Sequence, residues 1–362
     1  MNQTQALHDF GQSLWLDNIT RSLLDSGTLA RYIRELSITG LTSNPTIFEH
    51  AIHQSEAYDE AIRKGTQHGQ SGEALFFDLA VDDLQRAADL FRPVFDATDG
   101  VDGWVSLEVS PLLAHDAAGT TAAAAHLHAL AARPNLYIKI PGTPEGVAAI
   151  EESIFAGIPI NVTLLFSQAQ YQASAEAYLR GIERRVAAGL DPRVNSVASL
   201  FVSRWDVAAN KTLPAQLHNQ LGIAVAAQTY QAYRALLASA RWHKLAAAGA
   251  RTQRLLWAST GTKDASAPDT LYIDALVAPH TINTIPEKTL LAFAEHGQVL
   301  QTLKDDARGA DAVVTACREA GIDTDALAQR LQDEGAQAFS SSWSSLLGHI
   351  ADKARALKQA GA

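Results

Sequence analysis

Eight short apolar segments recur along the chain, separated by longer stretches with helical periodicity, and this alternation restricts the fold more than any other feature. They span 14–19, 38–44, 103–109, 136–141, 160–166, 195–202, 255–260 and 281–285. Eight strands with helices between them predict an α/β fold, a single closed (β/α)8 TIM barrel. The junctions agree. Asn44-Pro45 and Thr143-Pro144 each set a capping residue before a proline suited to a helix's first turn, and Ser167 and Gly189 can start and end the helix after segment five. Two stretches exceed the minimal repeat. One is 203–251, between strands six and seven, with a helix expected around 216–237. The other is 287–362, alanine-rich, with helices expected at about 323–337 and 341–358. No Pro/Gly/Ser linker sets either apart, so 1–362 is expected to be one domain, with 287–362 as C-terminal helical decoration.

Composition narrows the function. The net charge of −10 argues against nucleic acid, which needs a basic face, but leaves room for a local phosphate site. Cys317 is the one cysteine, which excludes a disulfide framework and points to a reducing compartment. No apolar run reaches the roughly 18 residues of a membrane span, and Met1–Trp15 lacks the marks of a signal peptide. A cytoplasmic protein is expected. The choice between monomer and homodimer stays open.

Strand side chains alternate faces, so polar residues in otherwise apolar strands stand out. Lys139 shares a face with Tyr137, Glu108 with Ser106, Asp17 with Trp15, Asn161 with Thr163, Ser199 with Val197 and Phe201, and Asn44 with Thr42. Ile160, Val162 and Leu164 are expected opposite Asn161 and Thr163. Six strands thus carry a polar group at or near the C-terminal end, where barrels place their active sites.

An enclosed lysine there suggests specific chemistry. An ordinary lysine has a pKa of about 10.4, so a neutral amine near pH 7 needs burial to disfavour its cation. Neutral lysine adds to a ketone, and the resulting iminium withdraws electrons from a neighbouring C–C bond. Asp17 and Glu108 are the carboxylates available for proton transfer. A strand lysine can equally be a structural partner of Glu108 or Asp17, and the pattern alone leaves that open.

These residues sit in blocks that resemble the transaldolase family, in particular its longer bacterial branch: LWLDNITRSLLDSG from Leu14, GLTSNPTIFEHAI from Gly40, SLEVSPLLAHD from Ser106 and RPNLYIKIPGTPEG from Arg133. They continue with INVTLLFSQAQY from Ile160, VNSVASLFVSRWD from Val194, LLWASTGTKD from Leu255 and APHTINTIPEKTL from Ala278. The blocks run in family order from about residue 14 to 291. The resemblance implies transfer of a dihydroxyacetone unit from sedoheptulose 7-phosphate or fructose 6-phosphate to an aldose phosphate, through a Schiff base and with no cofactor. It implies Lys139 as the Schiff-base lysine, Glu108 as the acid working with a water held by Thr163, and Asp17 as the base at the substrate hydroxyl. Asn44 and Asn161 would hold the dihydroxyacetone portion, with Ser199 and Arg204 around the phosphate and Phe201 lining the pocket. Where shorter relatives place a second phosphate-binding arginine, this chain has Ser259, Thr260, Gly261, Thr262 and Lys263. Lys263 is then the substitute, as a point charge rather than a fork.

The other readings are an aldolase-like lyase releasing free dihydroxyacetone, and a non-enzymatic sugar-phosphate-binding barrel. Glu108 and Phe201 stand where lyase relatives carry glutamine and tyrosine, which favours transfer. Gly261-Thr262-Lys263 lacks the first glycine of a P-loop. His50 and His53 are expected on a helix surface, and no metal is expected because no HExxH or CxxC spacing occurs.

Overall fold

The eight segments pair side by side as parallel strands in the computed structural model, which describes residues 3–299, 302–303 and 308–360. They are β1 (Ser13–Asp17), β2 (Ile38–Thr42), β3 (Val105–Glu108), β4 (Leu136–Pro141), β5 (Ile160–Leu165), β6 (Ser196–Phe201), β7 (Gln253–Ala258) and β8 (Ile282–Ile285). Their order, β2-β1-β8-β7-β6-β5-β4-β3, returns on itself. The seam between β2 and β3 is short: Gly103 N donates to Thr39 O at 2.8 Å and Leu41 N to Trp104 O at 2.9 Å. Gly40 permits this approach. A Cβ there would lie 2.7 Å from Trp104 O and from the Trp15 indole. The expected (β/α)8 barrel is therefore the observed fold, with helices covering its outer face.

Strand alternation sorts the apolar side chains into two bodies. Leu14, Leu16, Ile138, Ile140, Ile160, Val162, Ala198 and Leu200 face the helix layer. Trp15, Tyr137, Val197, Leu256 and Ile282 fill the inside. Tyr137 stacks on Trp104 at 4.0 Å between ring centroids and lies 6.2 Å from Trp15, an aromatic plug beneath Lys139. Among the described residues, no helix is long and apolar enough to cross a membrane.

The capping signals hold. Asn44 accepts from Ile47 N at 3.0 Å, Thr143 from Gly146 N at 3.1 Å and Ser167 from Gln170 N at 3.2 Å. Pro45 and Pro144 follow as first helical residues. Several strands end earlier than expected, because residues such as Asn44 and Ser43 leave the sheet to cap or turn.

Three expectations need correction. The helix expected from 216 begins at Leu221, because Asn219 takes a left-handed conformation (φ 59°) after a short 3-10 turn at Ala215–Leu217. Leu164 does not join Ile160 and Val162: β5 bulges between Val162 and Leu165, Leu164 adopts φ 57°, and its side chain packs inward with Phe166 and Leu331. The two C-terminal helices are one, Thr324–Ala360. Its serine-rich middle does not break it. Ser340, Ser341 and Ser344 each donate to the carbonyl four residues back, so their hydroxyls are satisfied along the helix.

This C-terminal helix crosses the barrel mouth. Gln332, 2% exposed, donates from Nε2 to Gly142 O and Leu164 O, both at 2.9 Å, and so ties the helix to the ends of β4 and β5. Trp343 meets Phe76 edge-on at 4.8 Å, and Lys353 pairs with Asp59 at 2.7 Å.

Candidate active site

The inward residues at the C-terminal strand ends surround a cavity of about 630 Å³. Its walls include Asp17, Asn44, Lys139, Thr163, Ser199, Phe201, Arg204, Ser259 and Lys263, drawn from most of the strands and the loops after them. Glu108 and Asn161 stand directly behind this surface and meet it through Lys139 and Ser199.

Lys139 projects from β4 into the barrel and is 4% exposed. Its Nζ donates to Ser43 O at 3.0 Å and to Glu108 Oε2 at 3.1 Å, with the Phe339 ring 5.8 Å away. The sequence left open whether Lys139 pairs with a carboxylate, and it does, with Glu108. Such a pair in a dry site is costly as two charges, and the same two groups can share one proton as amine and acid. Burial pushes the Glu108 carboxyl above its ordinary range; the Lys139 cation pulls it back and the Asp17 charge pushes it further up.

Asp17 ends β1 and accepts from Thr42 Oγ1 of β2 at 2.8 Å. Thr42 lies 2.6 Å from Thr284 Oγ1 of β8, so a hydroxyl relay from two neighbouring strands fixes the carboxylate. Burial raises its pKa, and Lys139, the Thr42 hydrogen bond and Lys263 pull in the other direction. Two carboxylates and one amine therefore face each other where water is scarce.

Thr163 Oγ1 is buried without a hydrogen-bond partner, although it lines the cavity. Such a hydroxyl is satisfied once a water or substrate oxygen sits in the cavity. The bulge at Leu164 explains its placement, since it ends the regular ladder immediately beyond Thr163. Asn161 donates to Ser106 Oγ at 3.1 Å and accepts from Ser199 Oγ at 2.7 Å, which turns the Ser199 lone pairs toward the cavity. Asn44 spends its oxygen on the helix cap, leaving its NH2 for the cavity.

Cations stand toward the rim. Arg204 lies 5.3 Å over the Phe201 ring, and burial lowers its pKa. Lys263 is exposed on the loop after β7. Between them Ser259, at φ 55°, places its hydroxyl 2.9 Å from Ser203 Oγ, joining the loops after β6 and β7.

Sequence reasoning missed Phe339, Thr42, Thr284 and His50, all of which line the cavity. The two threonines repeat the strand-end signal and could have been found by it. His50, expected only on a helix surface, is an exposed part of the cavity's outer wall.

The comparisons with known proteins agree with this geometry. Residues 14–350 match the family described as Transaldolase/Fructose-6-phosphate aldolase. A transaldolase of Thermobifida fusca is 45% identical over 96% of this chain and 97% of its own length. One from Thiobacillus denitrificans is 44% identical over 97% of this chain and all of its own, and one from Frankia alni is 44% identical over 97% of each. The chain belongs to the transaldolase/fructose-6-phosphate aldolase family.

Proposed function

We propose that the protein is a transaldolase that moves a dihydroxyacetone unit between sugar phosphates through a Schiff base on Lys139. The observation that carries this reading is a buried amine, 3.1 Å from Glu108 and beside Asp17, in a cavity whose rim holds Arg204 and Lys263. For attack, Lys139 gives up a proton, and the Glu108 carboxyl, raised by burial, is the nearest acceptor. Nζ then adds to C2 of fructose 6-phosphate or sedoheptulose 7-phosphate. Glu108, acting through a water held by Thr163, supplies the proton with which the carbinolamine oxygen departs as water.

The iminium is itself the electron sink, so the reaction needs no added cofactor. Asp17 takes the proton of the C4 hydroxyl, the C3–C4 bond breaks, and an aldose phosphate leaves. The retained enamine attacks the aldehyde of a second aldose phosphate, Asp17 returns the proton, and water releases the new ketose. Asn44 holds the dihydroxyacetone hydroxyls with its NH2, and Asn161 acts by fixing the Ser199 hydroxyl. Arg204 and Lys263 bind the phosphate, with Ser259 positioning the loop between them and Phe201 supporting the Arg204 guanidinium. Residues 1–362 act as one catalytic domain in this scheme, with the C-terminal helix as its cover.

Borohydride reduction with fructose 6-phosphate, followed by peptide mapping, tests the proposal. A reduced three-carbon adduct on the Lys139 peptide is expected in the wild type and absent in Lys139→Ala. Full transfer activity in that variant would end the idea. Product analysis without an acceptor separates transfer from simple cleavage, because free dihydroxyacetone should accumulate only slowly.

A further inference from the structure

On the helix Pro45–Gln54, beside its cavity-lining face, Glu49 and His53 are four residues apart and share a face. The C-terminal helix lays His349 against them. One donor atom from each of the three residues can be chosen so that all lie within 4.8 Å of one another. His349 Nδ1 is buried and has no hydrogen bond, although Glu49 Oε1 is 3.1 Å away, out of line for one. That separation has a coordination meaning. Two donors about 2.1 Å from one ion and 3.1 Å apart subtend roughly 95° at it. The His53 ring, on an exposed side chain, lies parallel to that of His349, 4.1 Å between centroids. Binding an ion would turn this ring out of the stack, to bring its nitrogen from within 4.8 Å of the other two donors to the roughly 3.4 Å edge of a tetrahedral site.

We propose that Glu49, His53 and His349 form a binding site for a divalent transition-metal ion, with two imidazoles and a carboxylate selecting zinc over the hard cations and water completing the shell. This revises the absence of metal expected from the sequence, which had no spacing to show because the third ligand arrives from a distant helix. The ion would clip together the helix capped by Asn44 and the helix carrying Phe339 and Gln332, two walls of the cavity.

The test uses tag-free, chelator-treated full-length protein. Cobalt(II) absorption and zinc calorimetry are expected to show one ion per chain at micromolar affinity or tighter. His349→Asn and Glu49→Gln should each weaken binding by more than about 100-fold, beyond what losing an outer-sphere partner costs. Zinc should raise the thermal midpoint of the wild type and leave that of His349→Asn where it was. Unchanged transfer activity in both variants certifies their fold. Absence of binding, or binding equally tight in both variants and therefore held elsewhere, would overturn the proposal.

Discussion

Gln332→Leu tests whether the C-terminal helix is part of the catalytic machine. The substitution nearly conserves volume but removes two buried hydrogen bonds of 2.9 Å, to Gly142 O and Leu164 O. Leaving each carbonyl dry, its hydrogen bond lost, costs about 1.5–2 kcal/mol in all, so the pair costs about 3–4 kcal/mol. Against this stands about 1 kcal/mol from burying a more apolar side chain, so the expected loss is about 2–3 kcal/mol. With an unfolding entropy of about 2.1 cal/mol/K per residue, a chain of this length loses about 3–4 °C in thermal midpoint. The local effect is larger than the global one. Hydrogen exchange along 324–343 should accelerate about 30–150-fold, and kcat/KM should fall because Phe339 no longer closes over Lys139. A midpoint within about 1 °C of wild type, with exchange and kinetics unchanged, would refute the reasoning and make the helix passive decoration.

Three further outcomes are expected. Burial raises Asp17 above its ordinary 3.8, so the folded chain holds that proton more tightly and ionisation costs stability as pH rises through the folded value. Asp17→Asn should therefore raise the thermal midpoint at neutral pH, with a gain that vanishes below about pH 3.8, while transfer falls about 10²–10⁴-fold; a pH-independent gain or a neutral-pH loss would contradict this. Thr163→Val removes a hydroxyl that has no protein partner, so stability should change by less than about 1 kcal/mol while kcat drops about 100-fold; steady-state kinetics with melting curves decide it, and an unaltered kcat would leave that hydroxyl without a task. Arg204→Ala should lower kcat/KM for fructose 6-phosphate about 10–150-fold, the value of a charge-assisted hydrogen bond, and leave unphosphorylated fructose unaffected; equal losses on both sugars would remove Arg204 from the phosphate.

The convergence of Asp17, Glu108, Lys139 and Thr163 was legible because a two-residue period and a buried strand together fix which way each side chain points. A polar residue there has no cheap explanation. Leu164 escaped the same rule because a bulge resets the period, and nothing in INVTLL marks it. Phe339 and Gln332 were invisible for a different reason. Their role comes from where a long helix docks, which its own 3.6-residue pattern does not encode. The division of that helix at 337–341 failed because serines can satisfy themselves along a helix as readily as they can end one.

The plug of Trp15, Tyr137 and Trp104 gives the barrel a closed floor, each ring being at most 2% exposed. A vessel with one opening cannot be fed from one side and emptied from the other. In the proposed reaction the first aldose must leave by the path the second will use, so the two exchange in turn while the three-carbon fragment waits on Lys139. Initial-rate plots at several fixed acceptor concentrations should then be parallel lines, with the departing aldose inhibiting in competition with the incoming one.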